Sequence, residues 1–205
     1  MIRAFHFVGC SRVLERLTHR ADAGAQLVEF AVSLPLLVIF VVGIFDFSGA
    51  FTLKQKLTNI ARDAARVAAA DPGSDLTSAS PTSVIDAFQV VQNYLAANGI
   101  NDCGITSTGT KSQLTWTFTA SGNGCPSPGI TLIVNRGYYF APSAAGQPVS
   151  INCQPSSTPA SAVIGTCVSL QYNYPWRFGR LSYLFGQTAA LPSSISAATV
   201  AINEN

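Results

Sequence analysis

Charged residues are scarce in this chain and balanced in sign. Only 11% of the 205 residues are charged, about half of the usual share for a soluble domain. Twelve basic residues stand against ten acidic ones, which gives a formal net charge of +2. No basic patch is left that could bind nucleic acid, so we expect no nucleic-acid partner.

Histidine is nearly absent too. The only two, His6 and His19, both precede Gly24. The chain after Gly24 therefore lacks the imidazole that activates a serine or cysteine nucleophile or binds catalytic zinc. Neither the phosphate-binding G-x-x-x-x-G-K-[ST] motif nor the glycine run of dinucleotide-binding folds occurs. We expect no catalytic residues, no metal site and no cofactor, and we interpret the protein as a non-enzyme.

What the sequence does contain is a long apolar run. Sixteen residues from Phe30 to Phe45 carry no charge, and about 20 apolar residues suffice to cross a bilayer. A buried core helix is the alternative, but the segment from Leu34 to Phe45 is apolar on every side. A cleaved secretory signal is disfavoured because no small-residue cleavage site follows the run. The run predicts a single membrane span in contact with lipid.

The helix is predicted to extend beyond the span. Apolar residues continue at helical spacing: Leu53, Leu57, Ile60, Ala64, Val67 and Ala68. Asp71-Pro72-Gly73-Ser74 should end the helix, and Pro35 should kink or locally break it. We therefore divide this part into a basic leader (1–24) and a transmembrane and extended helix (25–71), whose second half packs on its own domain or on other helices.

The remainder predicts a small α+β domain. Residues 72–82 form a linker or surface loop, and residues 83–205 form the domain. A helix opens at Ser80-Pro81, buries one face and stops at Gly99. Apolar and polar residues then alternate or cluster in four segments: Leu114–Thr119, Ile130–Val134, Val168–Tyr174 and Ser194–Ile202. Proline and glycine clusters, including 141–148, separate them. The predicted fold class is α+β, a long N-terminal membrane-spanning helix followed by one helix and an antiparallel sheet of about four strands.

Four of the five cysteines follow the span: Cys103, Cys125, Cys153 and Cys167. They lack the C-x-x-C spacing of a metal site. We expect neighbours to pair, Cys103 with Cys125 and Cys153 with Cys167, although three pairings are open. Disulfides need an oxidising compartment, which places the C-terminal domain outside the cytoplasm and the N-terminus inside. Basic residues flank the span on both sides and do not decide its orientation. Four free thiols in a cytosolic core are the alternative.

A carboxylate interrupts the beginning of the apolar run. Glu29 lies five residues after Gly24, and Phe30 follows it. This pattern resembles the processing site of type IV prepilins, in the form used by tight-adherence (Tad, Flp-type) pili. The wider sequence resembles the TadE family of pilin-like proteins. The resemblance covers about a quarter of the chain, in four blocks: Gly24–Ala31, Leu34–Leu37, Gly43–Phe47 and Leu57–Arg66.

The resemblance implies a function and a location. A prepilin peptidase would cleave between Gly24 and Ala25, with Glu29 and Phe30 completing the processing site. The product would be a pilin-like (pseudopilin) subunit or assembly factor of a Tad-type pilus or secretion system. Its partners would be that peptidase, membrane lipid and other Tad proteins or pilin-like subunits. It would lie in the bacterial inner membrane as a pilus-associated single-pass protein with a periplasmic C-terminal domain.

Two alternatives stay open. Glu29 could simply lie near the membrane surface and extend its carboxylate to water. The chain could also be an uncleaved single-pass envelope protein whose outer domain binds another partner, such as a surface glycan or an envelope protein.

Overall fold

The computed structural model of the chain describes residues 11–140, 149–154, 163–176 and 192–204. The first ten residues of the predicted leader and the proline- and glycine-containing cluster at 141–148 lie outside these ranges. The chain divides into two compact units, Met1–Asp46 and Phe47–Asn205. The boundary falls inside a helix, because the later part of that helix belongs to the folded domain.

Helix α1 runs from Ser11 to Ala70. It ends where predicted, before Asp71-Pro72-Gly73, because proline cannot continue the hydrogen-bond ladder. It begins inside the predicted leader, so the Gly24–Ala25 bond is not a boundary of secondary structure. Pro35 lies inside the helix without interrupting it, and the predicted local break is therefore absent. A proline inside a helix costs about 3 kcal/mol, but in an apolar run any longer break would leave further backbone groups without partners.

The second half of α1 forms part of the core of the C-terminal unit. Leu57, Ile60 and Ala64 are fully buried, as their spacing predicted, whereas Val67 is 37% exposed. Helix α2 spans Thr82–Ala97 and buries the predicted face: Val84, Phe88, Val91 and Leu95. A side chain seven residues earlier in the sequence caps its first turn: the Thr82 N–H donates to Asp75 Oδ2 at 2.6 Å.

In the described part of the chain, five antiparallel strands follow in the spatial order β1-β2-β3-β4-β5. They span Thr110–Ser112, Thr115–Ala120, Ile130–Phe140, Val163–Asn173 and Ser194–Ile202. The predicted helix-plus-antiparallel-sheet class is confirmed, with one strand more than expected. β1 was missed because its three residues are polar and exposed. β3 was predicted too short because Asn135-Arg136-Gly137 ends its apolar run, although pairing with β4 resumes at Tyr138 after a bulge.

The two faces of the sheet bury different clusters. The first face packs with the second half of α1 and with α2, and its largest buried side chains are Trp116 and Phe118. The second face carries a smaller cluster of Tyr138, Cys153 and Cys167. One side of the sheet therefore supplies most of the core, and part of the other side remains open.

The predicted linker is tied to the sheet rather than free. Lys111 Nζ donates to the carbonyls of Leu76, Thr77 and Ser78 at 2.8–2.9 Å. Trp116 Nε1 donates to the carbonyl of Ala79 at 2.9 Å. The segment that follows α1 is thus an ordered surface loop that fixes how α2 starts against β1 and β2.

Candidate functional site

The predicted processing residues lie on an exposed part of α1. Gly24, Ala25, Glu29 and Phe30 are all exposed. A Cβ atom added at Gly24 would meet no atom within 4 Å. Glycine in a helix interior costs about 1 kcal/mol relative to alanine. No contact in this unit explains why that cost is accepted at position 24, so packing does not account for the glycine.

The surface of this helix segment is almost entirely apolar. The large side chains are mostly more than 40% exposed, among them Leu27 at 71%, Phe40 at 65% and Phe45 at 74%. Gly24–Ala70 is long and apolar enough to cross a membrane, with a mean hydropathy of 2.6 in its most apolar window, none of which is buried. This exposure is the opposite of a soluble core helix, and it gives the chain a candidate single-pass membrane anchor.

The two carboxylates of the span differ in environment. Glu29 is exposed, so its charge would face whatever surrounds the helix. Asp46 is only 5% exposed and is not presented to the surroundings. An exposed carboxylate next to Phe30 needs water, a lipid headgroup or a partner's cation, because an unpaired charge at depth in a bilayer is costly.

The four cysteines after the span form the two pairs expected from their order. Cys103 and Cys125 join with Cα atoms 5.4 Å apart, and Cys153 and Cys167 join with Cα atoms 5.6 Å apart. The first disulfide ties the segment after α2 to the loop between β2 and β3. The second holds residues 149–154 against the second face of the sheet, where Asn135 Nδ2 also donates to the Cys153 carbonyl at 2.9 Å.

Arg136 is a functional candidate that the sequence reasoning missed. It is 3% exposed. Its guanidinium donates to the carbonyls of Ala68 and Asp71 at the end of α1, and to Thr166 Oγ1. The Asn203 amide donates in turn to the Arg136 carbonyl at 3.2 Å. This cation satisfies carbonyls that a helix end leaves without partners and complements the negative end of the helix dipole.

Burial also shifts the pKa values of Arg136 and of nearby Asp71. Desolvation lowers the pKa of Arg136, while nearby Asp71 and Asp75 oppose that shift. The pKa of Asp71 is raised above its ordinary value, first by burial and next by the like charge of Asp86. The available signal was a lone arginine in the segment Asn135-Arg136-Gly137 that follows the apolar strand residues, but only the fold shows that it meets the helix end.

A groove of about 470 Å³ opens on the second face of the sheet. Its described walls come from the β1–β2 hairpin, from β2 and β3, and from residues 152–154. Among the described residues, the lining consists of hydroxyl and amide side chains, a tyrosine and two aliphatic residues, with no charged one: Ser112, Gln113, Leu114, Thr115, Thr117, Ile133, Asn135, Tyr139, Asn152 and Gln154. Such a lining suits a neutral, polar ligand that exchanges several hydrogen bonds.

Among the residues that the structure describes, no group of three or more histidine, cysteine, aspartate or glutamate side chains is arranged to hold a metal ion.

Comparison with known families supports the same part of the chain. Residues 24–66 match the family model of TadE-like proteins, so the resemblance inferred from the motif is confirmed over that segment. No curated protein and no solved structure matches the chain. A TadE-like segment on an apolar helix of spanning length fits a protein associated with a Tad pilus system, and it implies association with other components of that system.

Proposed function

We propose that this protein is a pilin-like subunit or assembly factor of a Tad-type pilus or secretion system. A prepilin peptidase cleaves it between Gly24 and Ala25, and the helix that then begins at Ala25 anchors it in the inner membrane. The domain lies in the periplasm. The protein acts through contacts between helices and between domains and catalyses no reaction.

The observation that carries this proposal is the exposed, apolar helix with Gly24 and Glu29 at its start, within a TadE-like segment. A Cβ atom at Gly24 would meet nothing within the chain, which is consistent with a small residue kept there for recognition by a peptidase. The helix also offers an apolar surface that only lipid or other helices can cover.

The two disulfides support the periplasmic side for the domain. Cys153 and Cys167 are fully buried, and Cys103 is 1% exposed. Paired, buried cysteines are typical of proteins that fold in an oxidising compartment. Placing the domain there places the residues before the span in the cytoplasm, where prepilin leaders are held before cleavage.

Processing is tested by the mature N-terminus. We expect intact-mass and N-terminal sequencing of membrane-extracted protein, made beside its native peptidase, to give a chain that starts at Ala25. Gly24→Ala should leave the longer form, because it adds a Cβ where the peptidase needs a small residue and makes the helix harder to open by about 1 kcal/mol.

A matched substitution sharpens this test. Ala31→Gly loosens the same helix without touching the cleavage bond, and it should be processed normally. Recovery of Met1 or Ile2 from the wild-type chain under these conditions would refute the processing step and favour the uncleaved form.

Glu29 is proposed to act in assembly more than in cleavage. After cleavage, the new amine of Ala25 and the Glu29 carboxylate lie one helical turn apart, and both are poorly solvated in lipid. A second helix can supply each with a partner while it excludes water, and a close charge pair strengthens as the effective dielectric falls. Loss of one partner from a buried pair typically costs about 3–5 kcal/mol.

Glu29→Gln keeps the shape of the side chain and removes its charge. We expect it to be inserted and processed but no longer recovered with pilus-system partners in cross-linking through the helix. Thr58→Ala, a mild change on the same helix within the domain, is the control and should leave recovery unchanged. Equal partner recovery from wild type and Glu29→Gln would mean that Glu29 is only a residue at the membrane surface.

The groove on the second face of the sheet favours a second candidate function. In this alternative the chain stays uncleaved, and its domain binds an envelope component such as a neutral glycan. Half-buried Thr115 and Thr117 supply hydroxyls, and Tyr139, 38% exposed, supplies an apolar ring face. Glycan-array binding that Thr117→Val abolishes, by a chain whose N-terminus is still Met1, would support this function over the first.

A further inference from the structure

Three aromatic rings meet around Trp176, which contacts both Tyr174 and Phe47, the first residue of the C-terminal unit. The centroids of Phe47 and Trp176 lie 5.5 Å apart, and those of Tyr174 and Trp176 lie 4.9 Å apart with an edge-on geometry. A Cβ atom at Gly49 would lie 2.6 Å from Tyr174 Oη, so the glycine allows this ring to approach the helix. We call Phe47, Tyr174 and Trp176 the aromatic collar.

The collar lies at the edge of the core and remains partly exposed. Phe47 is 54% exposed, and Phe51, one turn further along α1, is 66% exposed. Tyr174 and Trp176 are half-buried, whereas the other tryptophan, Trp116, is 1% exposed. One tilted and one edge-on contact orient the three rings relative to one another, so this apolar surface has a defined arrangement while it remains partly exposed.

The polar group of Trp176 is already satisfied within the domain. Its Nε1–H donates to the carbonyl of Pro192 at 2.6 Å. Moving an amide-like N–H out of water costs several kcal/mol only when it lacks a partner. The indole can therefore enter an apolar environment without that penalty.

The position of the collar along the chain identifies that environment. About 20 helical residues cross the hydrocarbon of a bilayer, at a rise of 1.5 Å each. Counted from Phe30, the residue after Glu29, such a span ends at about Gly49. Phe47 therefore lies at the far boundary of the hydrocarbon, where aromatic residues of membrane proteins concentrate.

We propose that the aromatic collar lies at the level of the lipid headgroups and seats the C-terminal unit directly on the membrane surface. The inference rests on the membrane anchoring in the proposed function and adds the depth at which the domain is held. The partner is a lipid surface, not a protein.

The two tryptophans make the proposal directly testable. The full-length chain is reconstituted into phosphatidylcholine vesicles whose lipids carry bromine either close to the headgroup or close to the chain end. Bromine quenches tryptophan emission only at short range. We expect the wild type to lose emission, most strongly with bromine close to the headgroup. Trp176→Phe, which leaves only buried Trp116, should lose almost none.

Vesicle flotation separates this proposal from the anchor itself. If both proteins float with the vesicles and bromine quenches neither, the collar does not touch lipid and the proposal is overturned, while the anchor stands. Stronger quenching by bromine at the chain end would overturn it too, because Trp176 would then lie within the span. If the wild type failed to float with the vesicles, both the membrane anchor and the proposed position of the collar at the headgroups would be overturned. Trp116→Phe, if it folds, provides the same measurement with Trp176 alone.

Discussion

The strongest stability prediction concerns Arg136, the buried cation at the end of α1. Arg136→Met keeps an apolar stem of similar volume and removes every donor. The carbonyls of Ala68 and Asp71 then lose their side-chain partner, and Thr166 Oγ1 loses one of its hydrogen bonds. We expect the free energy of unfolding to fall substantially, because buried acceptors cannot turn to water instead.

The magnitude follows from counting these groups. Leaving a buried acceptor unsatisfied costs about 1–3 kcal/mol, and the lost interaction with the helix dipole adds about 0.3–1 kcal/mol. The desolvation cost of the cation, whose Nε has no hydrogen-bond partner, is recovered in the variant and offsets part of this. The net expectation is a loss of about 3 kcal/mol. Arg136→Lys should lose less, because it keeps the charge but cannot reach both carbonyls with one compact head group.

Lys111 provides a matched control. It too donates to backbone carbonyls, those of Leu76, Thr77 and Ser78, but it is exposed. Water can replace an exposed donor, so Lys111→Met should cost less than about 1 kcal/mol. Denaturant unfolding of the oxidised full-length chain in detergent, followed by tryptophan fluorescence, measures both variants. Equal losses for the two would refute the argument that burial makes the Arg136 contacts matter.

Two further predictions concern the rest of the domain. Under native conditions a reductant should open the disulfide that contains half-buried Cys125 before the one that contains fully buried Cys153. Timed alkylation followed by mass mapping would show the order, and simultaneous opening would contradict the prediction. In the folded state the pKa of Asp71 is raised above its ordinary value of 3.8. Between 3.8 and the raised pKa, the folded state therefore binds more protons than the unfolded state. The free energy of unfolding should rise as the pH falls through that range. Asp71→Asn should flatten this dependence and raise the melting temperature at neutral pH, as thermal scans against pH would show. An unchanged slope would contradict the prediction.

The helices and the anchor were predictable because their signals are local. A charge-free run of spanning length, apolar residues at helical spacing and a proline-glycine stop each act within a few turns. The buried face of α2 follows from the same periodicity. Pro35 was predicted to kink or locally break the helix, and the helix continues through it without a break, because the hydrogen bonds of the turns on either side outweigh a local cost of about 3 kcal/mol.

The parts that sequence reasoning missed depend on contacts between distant residues. Arg136 lies 68 positions from Ala68, whose carbonyl it binds, and nothing near Arg136 in sequence identifies that partner. The collar likewise joins Phe47 to Trp176. β1 is too short and polar to show any periodicity. In each case tertiary pairing supplies the stabilisation, so the local sequence carries no sign of it.

The edges of the sheet bear on how such a domain can assemble. The Tyr174 N–H binds the Ser193 carbonyl, and the Asn203 N–H binds the Ile164 carbonyl. The main-chain groups of odd-numbered β5 residues therefore face β4, and those of even-numbered residues face outward.

Helix α1 covers this outward edge of β5. Lys54 Nζ donates to the Ser196 carbonyl, and the Glu204 N–H donates to the Ala69 carbonyl. The two helix positions lie about 22 Å apart at 1.5 Å per residue, and the two strand positions about 26 Å apart at 3.3 Å. The helix thus runs in the same direction as β5 and contacts its outward edge near both ends, so a strand could not add along this edge without displacing these contacts.

The opposite edge, β1, is protected in another way. It has only three residues, with Lys111 at the centre. Short strands and lysines are the usual means by which sheet edges resist pairing with other chains. Within the described part of the sheet, neither edge offers a long open strand to a neighbouring subunit. Assembly by strand addition is therefore disfavoured, which agrees with the proposed role of the exposed apolar helix that carries Glu29 in contacts with other subunits.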